Sequence, residues 1–239
     1  FGYVRNYNSK TLNNKKKNIS YLFSKFTTEL KLKNFVSSRL YIDIEKVTND
    51  NFLKVFESNI LENSTSLKPN SASNLESKVK LVLNNENYSF TTGISAYENL
   101  QLKNNDRYQY TLPYYTFNKT LFPEFNNGYL YFNSTGHNNL SNTNQLTSQI
   151  VNNFTFSSLD YISKNGFTNK FNINLKNLNS VGKNVSEYKS SLQSELMSIF
   201  ELKSSIPLKK LSENHISYLT PKISLRSNPS DMKNHSSSE

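Results

Sequence analysis

Alternation of apolar and polar residues is the dominant pattern along this chain. In residues 26–33, Phe26, Leu30 and Leu32 fall on one side of an extended backbone, and Thr27, Glu29, Lys31 and Lys33 on the other. Leu40, Ile42 and Ile44 alternate in the same way with Tyr41, Asp43 and Glu45. Turn chemistry at 48–51 then leads into 52–56, which reads as a returning strand, so the three runs predict an antiparallel meander. Residues 58–77 are polar, rich in Ser and Asn and interrupted by Pro69, and read as a long loop. The runs 78–83 and 88–97, joined by the turn-like 84–87, predict a hairpin.

Further along, the aromatic stretch 105–117 opens on adjacent opposite charges and contains one proline. Residues 122–128 turn the chain, 129–134 return with aromatics on both faces, and 138–149 read as another polar loop. Extended candidates follow at 154–156, 167–176 and 188–203. In the last of these, Leu192, Leu196, Ile199 and Phe200 are equally spaced for a helix face. A final alternating strand covers 218–226. About eleven strands result, several approaching the roughly nine to eleven residues that a tilted membrane-crossing strand needs. The expected fold class is therefore all-β, a segment of an antiparallel transmembrane β-barrel.

On that reading Thr27, Glu29, Lys31, Asp43, Glu45, Lys78, Lys80 and Lys176 are candidates to face a lumen. Leu30, Leu32, Ile42, Ile44, Leu81, Leu83, Ile173 and Leu175 are candidates to face lipid. In a soluble sandwich the same two sets would be solvent and core. Asp106-Arg107 is expected at a strand end or in the lumen, and Pro113 at a bulge, because it removes a ladder hydrogen bond.

Composition sharpens the choice. Only 35% of residues are hydrophobic, yet 13% are aromatic, which is thin material for a two-sided core. Amphipathic rings suit an interface with one apolar and one wet side. Part of the Lys and Asn bias is what an AT-rich genome produces. No apolar run approaches the eighteen or so residues of a membrane-spanning helix, which leaves barrels as the membrane option. The net charge of +10 invites a nucleic-acid reading, but the charge is scattered and only Lys15-Lys16-Lys17 forms a run, read as a solvated loop. There is no cysteine, hence no disulfide framework and no thiolate metal site. The chain opens on Phe1 without Met or signal peptide and closes on polar residues, which reads as an internal piece of a longer protein.

Candidate chemistry is sparse. His137, His215 and His235 lie far apart and outside zinc or triad motifs. Gly166 and Gly182 read as isolated turn glycines. Asp43 and Glu45 share a strand face, but nothing else assembles around them, and a polar strand face is the better reading. No catalytic residue, metal ligand or cofactor site is expected.

Residues 106–117 (Asp106, Arg107, Tyr108, Gln109, Tyr110, Thr111, Leu112, Pro113, Tyr114, Tyr115, Thr116, Phe117) resemble a stretch of the LPS-assembly protein family LptD, also called organic solvent tolerance proteins. The tail Leu219-Thr220-Pro221-Lys222 through Arg226, with Pro229, Asp231 and Met232 after it, resembles another. Gly166-Phe167, residues 176–179 and Pro207-Leu208 follow the family's order between them. The flavour is that of alphaproteobacterial members with AT-rich genomes. The resemblance implies part of a very large barrel in the Gram-negative outer membrane, non-enzymatic, which places lipopolysaccharide in the outer leaflet. It implies as partners an LptE-like plug lipoprotein, a periplasmic LptA-like bridge and lipopolysaccharide itself, with no nucleic acid. Both barrel ends and the periplasmic jelly roll are expected to lie outside this stretch, so the family's lateral-gate residues are not carried over. The rival expectations are another outer-membrane barrel, such as a receptor or porin, and a basic RNA-binding protein.

Overall fold

A computed structural model describes residues 1–7, 17–55, 67, 69, 71, 73–121 and 127–230. The strands in chain order are β1 (Gly2–Tyr7), β2 (Lys17–Glu29), β3 (Ser37–Val47), β4 (Asn74–Asn84), β5 (Tyr88–Asn99), β6 (Tyr108–Leu121) and β7 (Gly128–Ser141). They continue as β8 (Gln145–Ser158), β9 (Tyr161–Ile162), β10 (Thr168–Lys183), β11 (Gln193–Ser205), β12 (Leu208–Leu211), β13 (Ile216–Leu219) and β14 (Lys222–Ser227). Among the described residues one short helix, α1 (Phe52–Val55), follows β3, and a single 3-10 turn, Asn104–Arg107, precedes β6. The chain is all-β.

The main sheet runs β1-β2-β3-β4-β5-β6-β7-β8-β10-β11-β14, with β9 beside β10. Every neighbouring pair is antiparallel. It is a meander of sequence neighbours, open at β1 and β14. The strands from β2 to β8, with β10 and β11, hold 11 to 16 residues each. Strands of soluble proteins typically hold about five or six.

Several sequence expectations are corrected. Residues 52–55 form a helix, not a returning strand; 56 lies outside the described residues. β4 takes the place beside β3, and the helix starts where the Phe52 N–H donates to the Asn49 carbonyl and the Asn51 N–H to Asn49 Oδ1. Adjacent Phe52 and Leu53 are both buried, which a strand facing water on one side would not allow. They join Ile19, Phe23, Val47, Leu75 and Leu100 in the one cluster of buried apolar residues among the described residues, at one rim of the sheet.

The polar stretch 138–149 is no loop. β7 and β8 run through it to a tight turn at 142–144, where Asn142 and Thr143 take left-handed φ of 49° and 60°. Its polarity belongs to strand ends that need no apolar face. Residues 193–203 are strand, and the helical spacing of Leu192 to Phe200 is not used. Residues 218–226 divide into the end of β13 and β14 at Pro221, yet the register is unbroken. Ser205 faces Lys222, the Ile206 N–H donates to the Pro221 carbonyl, and Leu208 faces Leu219. β11–β12 and β13–β14 are thus one long hairpin, interrupted only where prolines lack an N–H. Gly166 is a turn glycine at φ +83°, but Gly182 sits within β10 under Tyr188. β1 was not anticipated. Residues 74–77, expected in the long loop, belong to β4, and Lys17 opens β2; the rest of the expected loops and turn at 15–16, 58–66, 68, 70, 72 and 122–126 lies outside the described residues.

Glycines inside strands mark where neighbouring rings cross the backbone. A Cβ on Gly93 would lie 2.5 Å from the Val79 carbonyl oxygen and 2.7 Å from Tyr114 Oη. The carbonyl belongs to the β4–β5 ladder and cannot yield. Gly93→Ala is expected to cost about 1–3 kcal/mol, read as a lowered denaturant midpoint.

Candidate functional site

In an antiparallel ladder, residues directly opposite each other point to the same side, so the registers sort the whole sheet into two faces. One face is polar. It carries Lys25, Asp43, Lys78 and Lys80 on β2–β4, then Thr91, Thr116, Thr135, Asn153, Lys176 and Met197 across the remaining strands. The other face is apolar: Phe26, Ile42, Leu81, Phe90, Phe117, Phe132, Phe154, Ile173, Phe200 and Leu225 among others.

Away from the rim where Leu75 and Glu98 are buried, that apolar face is uncovered. Along the main path, outside the bulge at Leu112, every exposed Phe, Leu, Ile or Val within a described strand lies on it. Phe26 is 52% exposed, Ile94 45% and Phe154 42%. The exposed rings on the polar face are tyrosines: Tyr97, Tyr129 and Tyr131. Rings on the apolar face form a chain across strands, with centroids 6.1 Å apart for Tyr88 and Phe117, 6.0 Å for Phe117 and Phe132, and 4.5 Å for Phe132 and Phe154. Ionic side chains on this face sit towards strand ends, as with Lys46, Glu98, Lys119 and Lys183. Lys119 and Lys46 come closest to the apolar run, two residues from Phe117 and Ile44 respectively, and their long stems permit the ammonium to reach the rim.

The polar face holds paired charges. Lys78 Nζ lies 3.1 Å from Glu76 Oε2 and 3.6 Å from Asp43 Oδ2. Glu45 is buried, and its carboxylate accepts the Glu76 N–H at 2.9 Å where the β3–β4 ladder ends. Glu201 accepts from Lys203 and Arg226 at 3.0 Å each and from Asn172 at 3.1 Å.

The residues singled out from sequence distribute as follows. Asp43, Glu45, Lys78 and Lys80 are brought together on the polar face, with Glu29 on the same face opposite Arg39 and Lys80 above the Tyr41 ring. Lys176 shares that face but stands apart on β10, opposite Asn153 and Met197. Leu30, Lys31 and Leu32, expected to alternate within a strand, lie beyond β2 in the link to β3, where Lys31 has φ 50°. Ile42, Ile44, Leu81, Leu83, Ile173 and Leu175 share the apolar face. His137 is in β7 opposite Tyr114 and Gln149, and His215 is in the 212–215 turn. His235 lies outside the described residues, among which no group of three or more His, Cys, Asp or Glu is placed to hold a metal ion.

The stretch 106–117 becomes the turn before β6 and most of that strand. Arg107 Nη2 contacts Asp50 Oδ1 at 2.7 Å and Glu98 Oε1 at 2.6 Å. Hydrogen bonds to Asp50 and then to Glu98 hold its guanidinium above the ordinary arginine value. Tyr108 donates to Glu98 at 3.0 Å, and Lys46 Nζ reaches the other carboxylate oxygen at 2.7 Å. Tyr110 stacks on Tyr108. Leu112 and Pro113 fall in a register shift, and Tyr114 and Tyr115 beyond it cover Gly93 and Gly136. Leu219, Thr220, Pro221 and Lys222 lie in the long hairpin, Pro229 follows β14, and Asp231 and Met232 are outside the described residues. The two signature stretches are not brought together; β7, β8, β10 and β11 separate β6 from β14. Glu98, Lys46 and Asp50 were not foreseen, because partners so far apart in the chain leave no local signal.

No family model matches this chain, and no curated protein matches it. The arrangement itself is one sheet with an apolar surface on one side and a hydrogen-bonding, charged surface on the other.

Proposed function

We propose that this chain is a wall segment of an outer-membrane β-barrel that moves lipopolysaccharide to the outer leaflet, as LptD-like proteins do. The observation that carries the reading is the long single-layer sheet with an uncovered apolar face backed by a charged one. A water-soluble monomer rarely exposes a contiguous apolar patch beyond a few hundred Å². In a membrane barrel that face meets acyl chains while the polar face lines the lumen. The open edges at β1 and β14 suit a wall that continues on both sides.

Lipopolysaccharide specifically rests on the resemblance of residues 106–117 and 219–232. Its sugars and phosphates would meet Asn, Ser, Thr and Lys side chains of the polar face, with charge-assisted contacts from lysines such as Lys80 and Lys176. The role involves translocation only, with an LptE-like lipoprotein inside the barrel and an LptA-like bridge on the periplasmic side.

Depletion of the full-length protein tests this. The expected result is outer-membrane fractionation, heat-modifiable gel migration, co-purification of a small lipoprotein, and loss of surface lipopolysaccharide. Unchanged surface lipopolysaccharide would leave a barrel of another kind, a receptor or porin. Recovery as a soluble, RNA-bound protein would remove both.

A further inference from the structure

The apolar residues do not follow the hydrogen-bonded rows of the sheet; they cross them diagonally. On β4 the apolar run is centred on Leu81, between Val79 and Leu83. Leu81 faces Thr92, and its row continues through Tyr115, Gly136 and Ile150 to Asn179 on β10. On β10, however, the apolar run is Phe171, Ile173 and Leu175. Its centre, Ile173, lies six residues from Asn179, and five strand-to-strand steps separate β4 from β10.

The drift is about 1.2 residues per strand, roughly 4 Å along the strands for each ~4.8 Å between them, which corresponds to a slant of about 40°. Strands of membrane barrels tilt by about 35–45° from the barrel axis, so a level slab of hydrocarbon crosses their rows at that slant. The strand ends climb in the same direction. Leu83 and Leu196 belong to one row, yet the turn after β4 begins two residues past Leu83, at Asn85, and the turn after β12 begins at Ser212, sixteen past Leu196. A protein layer packed on a flat sheet would demand neither trend.

Resting on the membrane-wall reading above, we infer that the bilayer's acyl chains contact a diagonal belt running from Ile42 and Leu81 through Phe154 and Ile173 to Leu225. On the α1 side the belt's margin crosses β8 near Ile150, and the same face beyond it, at Ser148 on β8 and Asn179 on β10, stands clear of hydrocarbon. The face becomes more polar towards and across that margin, although Leu140 and Leu146 lie on it too. Tyr115 and Ser134 hydroxyls lie 3.1 Å apart, Ser134 donates to Asn152 Oδ1 at 2.7 Å, Asn152 donates to Asn177 at 3.3 Å, and Asn179 donates to Asn177. These side chains satisfy one another, which lowers the cost of polar groups on this face towards the hydrocarbon margin.

Single nitroxide labels are placed by Leu81→Cys, Ile173→Cys, Leu225→Cys, Ile150→Cys and Ser148→Cys in the full-length protein, with any cysteine outside this cysteine-free stretch replaced by serine. These are surface positions, and heat-modifiable migration reports whether each variant folds. In phosphatidylcholine liposomes, labels at 81, 173 and 225 are expected to show high collision with oxygen and loss of collision with a nickel chelate. A label at 148 is expected to show the reverse, and one at 150, at the margin, values between those of 81 and 148. If 150 is as lipid-exposed as 81, its row-mate, the diagonal is wrong while the membrane wall survives. If all five are shielded from both reagents, protein covers the face, and the wall reading fails with the belt.

Discussion

Leu81→Arg is expected to cost about 2–4 kcal/mol of folding stability in a bilayer, while Ile150→Arg costs about 0–1 kcal/mol. Both side chains point to the apolar face and belong to one hydrogen-bonded row, so a sandwich core with its covering layer along that row would penalise them alike. In a tilted wall their depths differ. Leu81 sits at the centre of its strand's apolar run, whereas Ile150 lies four residues from Phe154 along β8, about 13 Å of strand. An arginine near the belt's margin reaches polar headgroups with its long stem, and one at the centre does not. The measurement is a urea titration in liposomes with the folded fraction read from gel mobility. Equal costs for the two variants would count against the tilt.

Glu98→Ala is expected to cost about 3 kcal/mol, and Lys46→Met less than about 1 kcal/mol. The Glu98 side chain is 8% exposed and gathers Arg107, Lys46 and the Tyr108 hydroxyl; Arg107 is 17% exposed and also holds Asp50. Removing the carboxylate leaves a poorly solvated guanidinium with one partner. Lys46, half exposed, can turn to water when its partner is gone. A double-mutant cycle on Glu98 and Arg107 should return a coupling above about 1 kcal/mol, because neither group is replaced by solvent. Additive losses would show that the pair is not coupled. The cluster joins the segment after β3, the end of β5 and the turn before β6, so its loss is expected to loosen this rim of the sheet before the strands themselves.

Legibility from sequence followed the range of the forces involved. The hairpin 78–97 was readable because both strands alternate and the turn between them is short. The stretch 52–56 was misread because five residues with mixed apolar spacing satisfy strand and helical turn alike; only burial of adjacent Phe52 and Leu53 decides. Residues 138–149 were misread because strand ends near water need no apolar face, leaving only backbone pairing to reveal them. Of the polar-face candidates, Asp43, Glu45, Lys78 and Lys80 were legible as sharing a side, but the Glu98–Arg107 junction was not.

By itself the sequence determined the all-β class and the two-sided chemistry of its strands. Successive side chains of an extended backbone must alternate, and that is a local fact of covalent geometry. Tertiary structure alone decided which strands lie side by side, in which register, and therefore that the apolar runs align into a slanted belt. Register is set by contacts between residues distant in the chain, and a period of two says which side a residue faces, never how far along its neighbour it will come to rest.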